Sequence, residues 1–216
     1  MDKTFGSSSE VLNHESGILN LPVMEHFYTL QGEGYHQGTA AYFIRLGGCK
    51  VRCVWCDVKD SWEESAHPAM SIAQIASFAK QSGSKIAVVT GGEPSMHNLD
   101  SLTNELRQGG LKTHIETSGA YELTGTWDWV CFSPKKFLPP HQLVPSMANE
   151  LKVVIFHKSD FEWAELYAAK VGPACKLFLQ PEWSKEKQML PSMVEYVKSN
   201  PKWRISLQTH KYMEIP

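Results

Sequence analysis

The sequence lacks three features that would each point to a particular class of protein. Only five of the 216 residues are cysteine, and an odd number argues against a disulfide framework. No apolar run approaches the roughly 20 residues that span a bilayer, and the N-terminal segment lacks the apolar core of a signal peptide. The formal net charge is only −2, so there is no basic field for gripping nucleic acid. We therefore expect a cytoplasmic protein that acts on a small molecule, without direct contact to nucleic acid or membrane.

Short apolar runs alternate with amphipathic segments along most of the chain, which predicts an α/β fold with a parallel sheet. Strands are expected at residues 40–46, 86–90, 112–116, 129–132, 151–156, 176–179 and 204–207. The strands number fewer than eight, and the crossover at 118–128 shows no helical period, so we expect a partial, open (β/α) barrel with a reduced set of helices. Residues 1–20 are polar and Ser-rich and are interpreted as a flexible extension. Residues 21–216 are then a single catalytic domain.

Three of the cysteines, Cys49, Cys53 and Cys56, lie within eight residues in the spacing C-x3-C-x2-C. A structural zinc site needs a fourth ligand, and neither His36 nor Asp57 completes a recognised pattern, although a zinc-stabilised binding module stays open as an alternative. Three thiolates can instead hold three irons of a [4Fe–4S] cluster and leave the fourth iron open. The spacing resembles the signature of the radical S-adenosylmethionine superfamily, whose open iron is chelated by S-adenosylmethionine.

Polar residues follow several of the expected strands, at the edge where parallel α/β folds collect their ligands. The strand at 86–90 runs into Gly91, Gly92 and Glu93, and paired glycines let the backbone approach a ligand closely. This segment resembles the superfamily's Gly-Gly-Glu element, whose backbone and glutamate face the amino group of S-adenosylmethionine. Other polar segments follow at 116–119, 133–136 and 179–181.

The ordered set of these segments, with 29–34 and 207–211, resembles the 7-carboxy-7-deazaguanine synthase family from about residue 23 to the end. The resemblance implies that 6-carboxy-5,6,7,8-tetrahydropterin is rearranged to 7-carboxy-7-deazaguanine with loss of ammonia, a step towards queuosine and tRNA modification. It implies a [4Fe–4S] cluster, S-adenosylmethionine and Mg²⁺ as cofactors, a one-electron donor such as a flavodoxin, and a homodimer. Reductive cleavage of S-adenosylmethionine would give a 5′-deoxyadenosyl radical that removes a hydrogen atom from the substrate.

The resemblance also implies roles for individual residues. The cluster ligands are the three cysteines. The residues expected at S-adenosylmethionine are Gly91, Gly92, Glu93, Ser118, Ser133, Pro134, Lys135 and Gln180. Those expected at the substrate are Leu30, Gln31, Gly32, Glu33, Arg45, Thr90, His210 and Pro216. The fork of an arginine suits the substrate carboxylate, although Arg45 could also be a strand residue that only extends its charge to solvent.

The chain departs from the family pattern at Val58. A Thr or Ser usually follows the Cys-Asp pair there and ligates Mg²⁺, whereas a valine side chain has no oxygen to offer a hard cation. This puts the Mg²⁺ requirement in doubt. A second alternative within the superfamily is a glycyl-radical-enzyme activase, which shares the cysteine spacing but acts on a protein. The resemblance also implies that the Pro216 carboxylate enters the substrate site; an exposed tail is the alternative.

Overall fold

The computed structural model describes residues 19–216 of the chain. Its strands are β1 (Asn20–Leu30), β2 (Ala40–Leu46), β3 (Ala69–Ser71), β4 (Ile86–Gly91), β5 (Lys112–Thr117), β6 (Trp129–Phe132), β7 (Glu150–Ile155), β8 (Lys176–Pro181) and β9 (Trp203–Ile205). Its helices are α1 (Ile72–Gln81), α2 (Asp100–Gln108), α3 (Val144–Met147), α4 (Asp160–Ala168), α5 (Glu186–Ser199) and α6 (Thr209–Met213). None of the helices in the described part of the chain has the length and apolar character needed to cross a membrane.

All nine strands belong to one sheet, in the order β3-β1-β2-β4-β5-β6-β7-β8-β9. The neighbours from β2 to β9 pair in parallel, whereas β1 pairs antiparallel with both β2 and β3. Within residues 19–216 the strand order is linear, so the sheet does not close on itself. The predicted partial, open (β/α) barrel is therefore confirmed.

The core forms where the apolar face of each helix meets the sheet. Helix α1 begins at a capping box in which Ser71 and Gln74 satisfy each other's backbone N–H groups. Its buried face, with Ile75 in the centre, joins Ile44 of β2 and Ile115 of β5 in one hydrophobic cluster. Fully burying one such side chain stabilises the folded state by about 1.5–3 kcal/mol. The cluster therefore holds the helices on the sheet and fixes the ends of its strands.

Two strands and two short helices were not expected from the sequence. Strand β1 carries Pro22, Glu25 and His26 among its apolar residues and has an irregular register near Val23, so it shows no clean alternation. Strand β3 has only three residues, and α3 and α6 are too short for a helical period. The flexible extension was predicted for residues 1–20. Residues 1–18 lie outside the described part of the chain, and Asn20 belongs to β1.

The segments that follow β1 and β9 are joined by hydrogen bonds, and we call residues 32–34 and 206–209 together the seam. The carbonyl of Gly32 accepts from the backbone N–H of Thr209 at 2.9 Å and from its hydroxyl at 2.8 Å. The N–H of Gly34 donates to the Ser206 hydroxyl at 2.8 Å. Because β1 and β9 lie near opposite ends of the strand order, these side-chain and backbone bonds draw the ends of the open sheet together on one side.

Candidate active site

A cavity of about 270 Å³ lies at the C-terminal ends of the parallel strands. Its walls include the segments after β1, β2, β4, β5, β6, β8 and β9, as expected for a parallel α/β fold. Every residue predicted at the cluster, at S-adenosylmethionine or at the substrate lines this cavity, except Pro134. The structure thus brings the predicted residues together, although the role of each one stays a prediction.

The loop after β2 carries the three cysteines on the inner side of the cavity wall. Cys49 and Cys53 are buried while the intervening Lys50 and Arg52 are exposed, so the side chains alternate between the cavity and solvent. The loop is held by a bond from the Cys49 N–H to the carbonyl of Trp62 at 3.0 Å. All five cysteines of the chain are free thiols.

Burial affects the ionisation of two of these thiols. It raises the pKa of Cys49, and it raises the pKa of Cys53 to about 11. In residues 19–216, no group of three His, Cys, Asp or Glu side chains converges to hold a single metal ion. A structural zinc site needs four ligands on one ion, whereas the cysteine loop supplies three thiols, the number that leaves the fourth iron of a [4Fe–4S] cluster open.

Gly91, the last residue of β4, and Gly92 pack directly against the end of β2 and the start of the cysteine loop. The N–H of Gly92 donates to the Leu46 carbonyl at 3.0 Å, and that of Glu93 donates to the Gly48 carbonyl at 2.8 Å. A Cβ on Gly92 would lie 2.4 Å from the Gly48 oxygen and 2.8 Å from the Cβ of Cys49. Gly91 has a φ of +145° and no room for a Cβ beside the Leu46 backbone. Only glycines allow this contact between the two loops.

The Glu93 carboxylate is the most heavily bonded side chain of the site. One oxygen accepts from the Ser95 N–H at 3.0 Å and hydroxyl at 2.7 Å and from the Thr117 hydroxyl. The other accepts from the Ser118 N–H at 2.8 Å and from its hydroxyl. Since the residue is only 1% exposed, this side chain ties the ends of β4 and β5 together. Its contact with the amino group of S-adenosylmethionine stays a prediction.

Lys135 places a half-buried cation beside the cysteine loop. Its Nζ donates to the Ser133 carbonyl at 2.7 Å and lies 5.8 Å from the ring centre of Trp55. Burial lowers the pKa of Lys135, and the charge of a Cys53 thiolate acts against that shift. On the next strands, Gln180 is buried and accepts from the Ser206 hydroxyl at 3.0 Å.

The residues predicted for the substrate line the same cavity. Arg45 is aligned with Thr90 across β2 and β4, and its Nε donates to Glu25 at 2.6 Å, a pairing that the sequence did not reveal. Gln31 donates from Nε2 to Glu116 at 2.8 Å. The Thr90 hydroxyl lies 3.5 Å from the other Glu116 oxygen. A carboxylate therefore stands between two predicted substrate contacts.

Glu33 forms a buried ion pair with Lys152 of β7. Its second oxygen accepts from the amide of Gln208 at 2.9 Å. Burial raises the pKa of Glu33, but the charge and hydrogen bond of Lys152, the Gln208 amide and the charge of His210 outweigh it and lower that pKa to about 2. The imidazole of His210 packs on Gly32, where a Cβ would lie 2.2 Å from Nδ1.

Glu116, Lys152 and Gln208 are among the polar residues of the cavity wall to which the sequence analysis gave no role. Lys152 carried a detectable signal, because a lysine inside the apolar run 151–155 is unusual for a buried strand. Glu116 belongs to a polar segment that was noted at the rim but given no role. Gln208 lies in the 207–211 segment and has no local signal of its own.

Comparisons with known proteins agree with this geometry. The profile of the "Radical SAM superfamily" matches residues 43–124. The chain is 56% identical to a "7-carboxy-7-deazaguanine synthase" of Flavobacterium psychrophilum over 91% of this chain and 93% of that protein. It is 43% identical to one from Synechocystis sp., over 98% and 99% of the two chains. A "Crystal structure of QueE from Escherichia coli" superposes with a TM-score of 0.78 at 32% identity, covering 87% of this chain and 93% of that one.

Proposed function

The chain belongs to the 7-carboxy-7-deazaguanine synthase family of the radical S-adenosylmethionine superfamily, and we propose that it converts 6-carboxy-5,6,7,8-tetrahydropterin to 7-carboxy-7-deazaguanine with loss of ammonia. The product feeds 7-deazapurine and queuosine biosynthesis. The observation that carries the proposal is one cavity whose lining combines three cysteine thiols with Arg45, Gln31 and Glu33. Residues 21–216 would form the single catalytic domain.

The cofactor side of the cavity holds the residues of the cysteine loop and the Gly-Gly-Glu segment. Membership of the superfamily implies a [4Fe–4S] cluster and S-adenosylmethionine, and together these supply the carbon radical that removes a hydrogen atom from the substrate. Cys49, Cys53 and Cys56 would hold the cluster. The backbone of 91–93 would orient S-adenosylmethionine, with Ser118, Ser133, Pro134, Lys135 and Gln180 around it. The buried side chains of Cys49 and Cys53 would help to keep water away from the reacting groups.

The substrate side offers a complementary set of charges. Arg45 keeps guanidinium donors besides the Nε that bonds Glu25, and these suit the carboxylate of the pterin. Glu33 and Glu116 are acceptors and suit the N–H groups of the pterin ring. Leu30, Gly32, Thr90, His210 and Pro216 would complete the wall. The residues of this side bind and orient the substrate relative to the cofactor side.

Turnover under anaerobic conditions tests the proposal directly. Enzyme reconstituted with iron and sulfide, reduced with dithionite and given S-adenosylmethionine should convert the carboxylated tetrahydropterin to 7-carboxy-7-deazaguanine, measured by mass spectrometry. Cleavage of S-adenosylmethionine without conversion of the pterin would leave a radical enzyme with another substrate, such as the glycine residue that an activase oxidises. Purified protein that contains zinc and no iron or acid-labile sulfide would favour the zinc-stabilised binding module.

Mg²⁺ binding is expected to be weak, because Val58 lines the cavity without an oxygen ligand. The neighbouring Asp57 is already paired with Lys211 at 2.9 Å. We expect that a chelator lowers turnover only slightly and that added Mg²⁺ stimulates it only slightly. Val58→Thr supplies the missing hydroxyl and should make turnover depend more strongly on Mg²⁺. A strict requirement in the unchanged protein would contradict the prediction and show that other oxygens hold the ion.

Three further assignments extend the proposal beyond the site. A one-electron donor such as a flavodoxin would reduce the cluster, and the enzyme would be a homodimer, as the resemblance to the family implies. Five free thiols, three of them proposed cluster ligands, suit a reducing cytoplasmic setting. Size-exclusion chromatography with light scattering tests the dimer.

A further inference from the structure

Lys152 is a charged residue in the interior of the sheet. It is 5% exposed and lies in β7 between Leu151 and Val153, which are both fully buried. Removing an ammonium group from water costs several kcal/mol unless carboxylates compensate for the lost hydration. A lysine at this position therefore needs negative partners, and the identity of those partners indicates what the lysine does.

Glu33 is the partner that Lys152 touches. The ion pair joins two largely buried side chains: the side chain of Lys152 is 6% exposed and that of Glu33 is 14% exposed. Glu116 and Glu150 lie near enough for their charges, with that of Glu33, to outweigh the effect of burial and hold the pKa of Lys152 well above its usual value. These two carboxylates accept hydrogen bonds from other donors. Glu116 accepts from the side-chain amide of Gln31, and Glu150 accepts from the Tyr35 N–H at 3.1 Å.

The ion pair also fixes the direction of the Glu33 carboxylate. One oxygen is held by Lys152 and the other by Gln208 at 2.9 Å, while the Glu33 N–H donates to the side-chain oxygen of Gln31 at 3.0 Å. Each carboxylate oxygen can accept two hydrogen bonds, so capacity remains on an oxygen pair that faces the cavity. The loop that carries Glu33 is thereby tied to the central sheet through a charged side chain.

We propose that Lys152 is a positioning residue, which holds Glu33 ionised and in a single orientation so that its carboxylate accepts N–H groups of the bound pterin. Lys152 acts through Glu33 and makes no contact of its own with the substrate. The inference rests on the proposed function, and it adds a residue to which the resemblance assigned no role. Charge-assisted bonds to a fixed carboxylate are stronger and more directional than bonds to a mobile one.

A double-mutant cycle tests this dependence of one residue on the other. The variants are Lys152→Met, Glu33→Gln and the double variant. The measured quantity is the Kd for 6-carboxy-5,6,7,8-tetrahydropterin, determined by calorimetry on anaerobic holoenzyme with S-adenosylmethionine and without reductant, so that no turnover occurs. Each single variant should bind about 10- to 100-fold more weakly, the range for a lost hydrogen bond to a charged group. The double variant should bind no more weakly than Glu33→Gln alone.

Two readouts separate positioning from a general loss of structure. Iron content and affinity for S-adenosylmethionine should match the unchanged enzyme in all variants, so the defect should appear in substrate Kd and KM. Lys176→Met is the matched control, because Lys176 is an exposed lysine at the start of the neighbouring strand β8. It should leave substrate affinity unchanged.

Several outcomes would overturn the proposal. Unchanged affinity in Lys152→Met or in Glu33→Gln would do so, and so would additive losses, which would mean that Lys152 contacts the substrate itself. If Lys152→Met alone fails to fold, Glu33→Gln can still be compared with the double variant. Weaker binding of the substrate by the double variant than by Glu33→Gln contradicts the proposal. Failure of the unchanged holoenzyme to bind the pterin would instead contradict the proposed function.

Discussion

Replacing Cys53 by alanine is expected to abolish the cleavage of S-adenosylmethionine and to lower bound iron and acid-labile sulfide to background. Cys53 is buried in the wall of the cavity between the other two cysteines of the loop. Two thiolates cannot hold three irons of a cluster and leave the fourth open. The measurements are iron and sulfide content, the visible absorbance of anaerobically reconstituted protein, and the yield of 5′-deoxyadenosine.

Cys175→Ala is the matched control for this substitution. Cys175 is a half-buried free thiol that does not line the cavity, so its loss should leave iron content and cleavage unchanged, at a packing cost of about 1 kcal/mol. Normal yields of 5′-deoxyadenosine from Cys53→Ala would remove that residue from the cluster. Loss of iron in Cys175→Ala would reveal a ligand outside the loop.

Gly92→Ala is expected to cause the second largest defect. The added methyl group would lie 2.4 Å from the Gly48 carbonyl oxygen and 2.8 Å from the Cβ of Cys49, and backbone atoms cannot move aside as a flexible side chain can. Overpacking of this kind costs about 1–3 kcal/mol. Because the clash displaces the loop that carries the cluster ligands, both the iron content and the affinity for S-adenosylmethionine should fall, with cleavage lowered roughly tenfold or more.

Gly172→Ala makes the same chemical change where there is room for it. A Cβ at Gly172 meets no atom within 4 Å and the residue does not have a positive φ. That variant should keep its iron and its activity. Comparing it with Gly92→Ala separates the effect of the clash from any general effect of replacing a glycine. Retention of full iron content and normal S-adenosylmethionine affinity by Gly92→Ala would show that the two loops do not need this close contact.

The sequence predicted the parallel part of the fold well because several of those strands are compact apolar runs. Strands β2 and β4 are largely buried and consist mostly of residues typical of a core. Strand β1 escaped prediction because one of its neighbours, β2, already supplies an apolar surface, and β1 itself can carry Glu25 and His26 towards solvent or towards partners. Strand β1 forms because it pairs with β2 and β3, and such pairing leaves no pattern in the local sequence.

The cofactor side of the site was predictable because its residues are close in sequence. Cys49, Cys53 and Cys56 form a spacing with few alternative explanations, and Gly92 follows an obvious strand. The Glu33 and Lys152 pair was not predictable, since 119 positions separate its members and neither has a diagnostic neighbour. The same holds for Arg45, whose pairing with Glu25 depends on the register of β1 against β2.

The seam gives the two sides of the cavity different folding histories. Its bond between Gly34 and Ser206 spans 172 positions of the chain, whereas the bonds from Cys49 to Trp62 and from Glu93 to Gly48 join residues that are much closer in the sequence. Closing so long a segment has a high entropic cost, which is offset only after the intervening strands have paired. We therefore expect the seam, which includes Glu33, to form late in folding and to open early in partial unfolding. A partly unfolded enzyme should therefore lose affinity for the pterin while its cluster is still in place.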